Sequence, residues 1–401
     1  MSVVTLSDAS RAQGGFYVPQ FEIRIEGVGL PRDVLRDVLQ CTYKDSIKEI
    51  DSFELTVSNW DDVNNDFKYV GAETSDTLQG SDSHLHRLFE PCNKEVQVSM
   101  GYVGDLRTMM TGTFTTMEPS FNGGGAPTLM VRGLNVLHQL RRKQYTTAWT
   151  EKKDSEIAEN IATLRDRQSG RSRFPLPIVT DANAKADESP IDYVAQRNQY
   201  DIDFLLTRAR ERGYVVFVRE GENGRELYFG PSQGGDQAGL RDVTYELAWG
   251  RTLMEFKPTL TTANQVKSVT VNGWNRRRRQ PISVTVDLND RRLSRNRDLH
   301  ELLERCDPRE EVVVDEPVFT QAQARQRAIA ILQEREKEMV KASATCIGLP
   351  DLRAGQRVEI SQLGARFSGT YFITETTHTM NDRGYTVRFN ARREDESGGG
   401  A

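Results

Sequence analysis

Residues 198–218 read NQYDIDFLLTRARERGYVVFV and contain a helix, a stop and the first arm of a hairpin. Asp201 and Asp203 stand at the helix start, where carboxylates face the positive end of the peptide dipoles. Phe204, Leu205 and Ala209 recur at helical spacing and mark an inner face. Gly213 can take the left-handed conformation that ends a helix. Residues 214–219 then read as a strand, 221–224 as a turn and 226–229 as the returning strand. Upstream, Ile157, Ile161 and Leu164 predict an amphipathic helix behind Asp154 as N-cap. Residues 168–188 are polar and read as irregular. Ser189, Pro190 and Asp192 give a further helix start: a cap, a first-turn proline and a carboxylate reaching back. The middle of the chain, residues 143–245, is therefore expected to be α+β.

Outside this segment the period changes to two. Phe21, Ile23 and Ile25 alternate with Glu22, Arg24 and Glu26, and Phe53, Leu55 and Val57 alternate again. Residues 61–83 are rich in Asp, Asn, Gly and Ser and read as a long surface excursion. Val96, Val98, Met100 and Tyr102 resume the strand pattern, followed by strands near 112–121 and 128–133, with Gly123, Gly124 and Gly125 between them. Short strands separated by turn signals predict a barrel or sandwich of about 120 residues. Towards the other end, Val269 and Val271 alternate, as do Ile282, Val284 and Val286. Thr320 and Gln323 form a capping box ahead of a helix with Ala324, Ala328 and Ile331 inside. Strands close the chain at 357–360, 369–376 and 385–392, the last two joined by a turn holding Asn381, Asp382 and Gly384. The expected fold class is β-rich α+β, with two β-rich ends flanking the middle region.

The 401 residues carry a net charge of -5, with 37% apolar and 28% charged side chains. This balance predicts a globular chain of more than one unit and argues against a general attraction to nucleic acid. Cys41, Cys92, Cys306 and Cys346 are scattered without a CxxC pair, which suits reduced thiols and a cytoplasmic origin. The first fifteen residues lack the apolar core of a signal peptide, and no apolar run reaches membrane-spanning length.

No GxSxG, HExxH or phosphate-loop pattern is present. His84 and His86, near Asp82, would share a face on a strand and could hold a metal, but the surrounding sequence reads as a solvated loop without a third ligand. His138 and His378 read as packing or hydrogen-bonding residues. Glu310 and Glu311 fall in a charged linker, and Asp201 with Asp203 is accounted for by the helix start. Arg276, Arg277, Arg278 and Arg279 lie between two strand patterns and read as a solvated hairpin tip, with phosphate or an acidic neighbouring subunit as other possible contacts. The glycines at 123–125 lack the spacing of a phosphate cradle. No catalytic, cofactor-binding or metal-binding residue is nominated, and no cofactor is expected.

Several segments, in order, resemble the late control gene D family of phage tail proteins, which includes baseplate hubs and the hub portion of the type VI secretion spike. They are residues 21–27 and 53–61, VQVSMGYVGDLRTMMTG at 96–112, residues 198–218, LAWGRTLMEFKP at 247–258, VKSVTVNGWN at 266–275, and the closing segment with Gly369, Tyr371, His378, Gly384 and Tyr385. The resemblance implies two tube-protein-like β-barrels, at 16–142 and 246–393, with a helix at 320–340 inserted in the second. Residues 1–15 would be flexible and 394–401 disordered. It implies a homotrimer that seats a spike protein on one face and a hexameric inner tube protein on the other, with wedge or tube-initiator proteins around it. Neither nucleic acid nor membrane would be a stable partner. Such a chain would be made in the cytoplasm and built into a virion tail baseplate or injection apparatus. The family's secretion members continue into a spike beyond the point reached here; the spike is expected on a separate chain, the alternative being that residues 397–401 are a linker cut short. The competing expectations are a hub-associated cell-wall hydrolase, testable by peptidoglycan zymography, and a carbohydrate-binding baseplate module, testable on a glycan array.

Overall fold

The computed structural model describes residues 2–5, 18–73, 83–91, 94–141, 143–174, 176–212, 214–221, 224–231, 243–276, 278–288, 309–314 and 318–394. Most of them are strands. After β1 (Ser2–Thr5), the N-terminal lobe comprises β2 (Pro19–Ile25), β3 (Val28–Gly29), helix α1 (Arg32–Asp37), β4 (Val38–Ser46), β5 (Ser52–Ser58), the small hairpin β6 (Trp60–Asp61) and β7 (Asp66–Phe67), the helical turn α2 (Ser83–His86), β8 (Glu95–Tyr102), β9 (Asp105–Ser120) and β10 (Thr128–Asn135). The order across its sheet is β4-β5-β10-β9-β8-β2-β3. The period-two pattern is realised directly: Phe53, Leu55 and Val57 are buried while Glu54 and Thr56 between them are only half-buried. Gly133 is required by close approach, because a Cβ there would strike the ring of Phe53.

The middle unit begins after the 3-10 turn Val136–Arg141. It contains β11 (Tyr145–Lys152), α3 (Asp154–Thr163), β12 (Ile178–Thr180), α4 (Ala182–Asp187), β13 (Ile191–Gln199), α5 (Asp201–Arg212), β14 (Tyr214–Gly221) and β15 (Gly224–Pro231). Helix α5 and the β14–β15 hairpin follow the sequence reading, with Phe204, Leu205 and Ala209 buried; Gly213 lies outside the described residues. Three expectations are corrected. Residues 168–188, read as irregular, hold β12 and α4. Asp154 is the first helical residue rather than the cap, and its carboxylate is occupied by Arg208 at 2.7 Å and by Arg212. The helix predicted from Ser189 is instead strand β13, paired antiparallel with β11, Val194 opposite Trp149. Val194 and Gln196 alternate onto the buried face, and the Gln196 amide donates to Asp201 at 2.8 Å; a proline just before a strand costs no ladder bond. Pairing with a distant strand thus overrides a local cap signal. Trp149 stacks on Phe204 with centroids 5.3 Å apart at the centre of this core.

The last segment contains β16 (Val243–Ala248), β17 (Leu253–Leu260), β18 (Val266–Asn275), β19 (Gln280–Asp287), β20 (Arg309–Val313), α6 (Gln321–Lys337), β21 (Val340–Ile347), β22 (Arg357–Ser361), α7 (Gly364–Phe367), β23 (Gly369–Asn381) and β24 (Gly384–Arg393). Strands β17, β21, β24, β23, β22 and β16 form the C-terminal lobe, and β1 adds to β16 in parallel, so part of the expected flexible N-terminus is a strand. Strands β18, β19 and β20 form a sheet of their own, covered by α6. The capping box of α6 is present in both directions, Gln323 N to Thr320 Oγ1 at 3.1 Å and Thr320 N to Gln323 Oε1 at 3.2 Å. Ala324, Ala328 and Ile331 face Val269, Val271 and Ile282. The helix implied for 320–340 against the second barrel therefore ends at Lys337 and covers this separate sheet, because Val340 already pairs with Leu260. Glu394 is buried and its carboxylate lies 2.8 Å from Arg392; residues 395–401 lie outside the described residues.

Candidate assembly surface

Strand β23 joins the two lobes. Along one edge its first residues pair with β22 and its later residues, Glu375 to Asn381, pair with β4 of the N-terminal lobe; β24 occupies the other edge. A bulge between Ile373 and Glu375 re-aims the strand where the partner changes. The result is one sheet running through both lobes, with one core that mixes Tyr43, Phe53 and Val98 with Tyr371, Val387 and Phe389.

Behind this shared strand lies a polar junction. His378, on β23, is fully buried, with Nε2 3.0 Å from the Leu352 carbonyl and Nδ1 2.8 Å from the Tyr385 hydroxyl. Facing a carbonyl, Nε2 must carry the proton, so Nδ1 accepts from Tyr385 and the ring is neutral. The Tyr102 hydroxyl donates to the Gly348 carbonyl at 2.9 Å, linking β8 to the loop before β22. Arg353, from the same loop, donates to the carbonyls of Pro350 at 2.9 Å, Met109 at 3.1 Å and Thr108 at 3.2 Å, and lies 4.7 Å over the ring of Tyr43. Asp45, on β4, accepts from Ala354 N at 3.1 Å and from Thr376 Oγ1. N-terminal and C-terminal residues are thereby fixed together by directed bonds as well as by packing.

Burial, and secondarily the charge of Arg353, hold the His378 imidazole well below its usual range. Below about pH 6.5 the unfolded imidazole takes a proton that the folded one refuses, so this residue's contribution to stability falls as pH drops. Burial raises Asp45, and burial with the charge of Asp45 raises Asp51 to about 8, so Asp51 acts in the opposite direction over the same range. The imidazole is isolated by comparison with His378→Gln, whose amide can both donate and accept. The stability of wild type relative to this variant should fall by about 1.4 kcal/mol per pH unit below pH 6.5. Urea midpoints at pH 7, 6 and 5 measure it, and a constant difference would show that the imidazole does not resist protonation.

Among the described residues the sheets leave edges without a strand partner. Among the described residues β2 is covered on its outer side only by the two residues of β3, β17 pairs only with β21, and β20 only with β18. Val18 and Val103 are exposed side by side, joined by a 3.0 Å backbone bond, and Val28 is exposed at the opposite end of β2. Open edges beside exposed apolar side chains call for a covering partner.

The candidates read from the sequence are dispersed. His86 lies on a helical turn, not a strand, with Nδ1 3.0 Å from the Tyr69 carbonyl; Asp82 and the side chain of His84 lie outside the described residues. Among the described residues no cluster of three or more metal-ligating side chains occurs. His138 is exposed rather than packed. Asp201 is buried against Arg173, and Asp203 lies 2.9 Å from Arg141. Glu311 lies on β20 and pairs with Arg335 at 3.2 Å, while Gly123–Gly125 connects β9 to β10. Cys41 and Cys346 are buried and unpaired; Cys92 and Cys306 lie outside the described residues. Arg353 and Asp45 carried no sequence signal, since their partners are distant in the chain. Among the described residues no helix is long and apolar enough to cross a membrane.

The profile of the Alg8 N-terminal domain family matches residues 18–382, from β2 through β23. The chain belongs to the Alg8 N-terminal domain family. No curated protein matches its sequence. Among solved structures, this member of the family is similar to a 43 kDa tail protein of prophage MuSo2 from Shewanella oneidensis, at 14% identity and a TM-score of 0.62, over 94% of this chain and 98% of that one. A tail protein from Neisseria meningitidis MC58 gives 13% identity and a TM-score of 0.63, over 94% and 97%. An E. coli component of the type VI secretion system, described as structurally similar to the T4 tail proteins gp27 and gp5, gives 14% and 0.55, over 94% and 77%. The family profile bears a different description from the late control gene D resemblance. The fold of the family member is nevertheless that of phage tail proteins across its length.

Proposed function

We propose that the chain is a structural baseplate hub of a phage tail or contractile injection system. Three copies would close into a ring of six lobes, receiving a hexameric inner tube on one face and a trimeric spike on the other. Residues 16–142 and 246–393 would supply the tube-like lobes and 143–245 the spacer between them. The observation that carries this reading is the shared strand β23, which makes two β lobes of one polypeptide a single continuous sheet. A symmetry adaptor needs two lobes in fixed relation, and load passed from tube to spike needs that relation to be stiff. Similarity to tail proteins over nearly the full length of both chains supports the same reading. Open edges and exposed valines on the lobes fit a chain whose surface is completed by neighbours. Sedimentation velocity with light scattering tests it: the purified chain should show the mass of three copies, and a stable monomer at high concentration would count decisively against it.

A further inference from the structure

Two exposed hairpin tips of opposite charge lie on different parts of the molecule. One is the β18–β19 tip, where Arg276, Arg278 and Arg279 are exposed and, among the described residues, make no ion pair. Its shape is fixed: Arg278 N donates to Asn275 Oδ1 at 3.0 Å, and the Arg276 guanidinium lies 4.9 Å over the ring of Phe319. Trp274, beside it, is half exposed. The other is the β6–β7 tip on the N-terminal lobe, where Asp62 and Asp66 are exposed, likewise without an ion pair among the described residues. Asp61 is turned inward to cap this tip, accepting from Val63 N at 2.9 Å, and Val63 is 88% exposed at its apex.

We propose that the basic tip of one copy seats against the acidic tip of the next copy in the ring, Arg278 and Arg279 facing Asp62 and Asp66 around a contact of Trp274 with Val63. The inference rests on the ring reading and deepens it. A threefold ring needs a head-to-tail contact between two different patches on the same chain. A ring of alternating lobes would bring the N-terminal lobe of one copy beside the C-terminal part of its neighbour; the acidic tip belongs to the first and the basic tip to the separate sheet of the second. Each tip combines an exposed apolar side chain with unpaired charge, the composition of an interface anchor and its rim. Arginine forks match planar carboxylates. A long polyanion is a poorer match, because among the described residues the strands behind the tip expose Asp287 and Glu310 together with Lys267 and Arg309, a mixed surface rather than a continuing cationic track.

The test is a charge swap read by sedimentation equilibrium at low salt. Arg278→Glu with Arg279→Glu should raise the dissociation constant of the ring about tenfold, as should Asp62→Arg with Asp66→Arg. All four substitutions together should restore it to within about threefold of wild type. A ring that tolerates either pair unchanged overturns the contact while leaving the hub reading in place, as does a fourfold variant no tighter than its parents. A wild-type chain that never associates removes the hub reading itself.

Discussion

Arg353→Leu should destabilise the chain by about 3 kcal/mol, seen as a lower urea midpoint with an unchanged slope. The guanidinium serves three carbonyls on two chain segments, those of Pro350, Met109 and Thr108, and it is the positive charge facing Asp45. Leucine fills part of the volume but leaves those acceptors without a donor and Asp45 without its counter-charge. Unmade bonds of this kind cost more than the made bonds contribute, because the groups left behind have already lost water. Arg353→Lys should recover part of the loss, since an ammonium keeps the charge but cannot span the same acceptors. A loss below about 0.5 kcal/mol for the leucine variant, the usual range for surface positions, would show that the junction does not hold the lobes together.

Gly348→Ala should cost about 2 kcal/mol through overpacking. A Cβ at this position would collide with the ring of Tyr385, which lies tilted 5.8 Å from the ring of Tyr102 and donates to His378. Gly348 also bonds the Tyr385 carbonyl through its N–H at 2.9 Å and accepts from the Tyr102 hydroxyl, so it has no room to retreat. The effect should be coupled to the junction. In the background of His378→Ala the alanine should cost measurably less, because Tyr385 has then lost its acceptor and is partly released. Additive losses would place the strain elsewhere.

These two residues mark the boundary of what the sequence discloses. Helix α5 and the β14–β15 hairpin are legible because their signals are local: an acidic first turn, an apolar helix face, and an apolar strand from Tyr214 running into a turn bounded by Gly221 and Gly224. The capping box at Thr320 is legible for the same reason, and the strand periods of β5 and β8 name their buried faces. Strand β13 is misread because Ser189 and Pro190 are a local start signal, whereas the pairing of Val194 with Trp149 is set by a segment far upstream. The separate sheet under α6 is hidden likewise: β18 and β20 pair in parallel across a long connection, which no turn residue announces. Arg353 gave no sign because an arginine in a loop is usually solvated, and its partners at Thr108 and Met109 are brought to it only by the fold. His378 reads as a packing or hydrogen-bonding residue; in the fold it makes two hydrogen bonds, to partners that could not be named from the chain alone.

The fold assigns this member of the Alg8 N-terminal domain family to the architecture of phage tail proteins, and the proposed hub role adds threefold assembly to it. Single-particle electron microscopy of the purified chain measures that addition most directly. Six β lobes arranged about one threefold axis, two from each chain and joined through β23, are the predicted image. Isolated two-lobed particles, or rings whose lobes share no common axis, would contradict it.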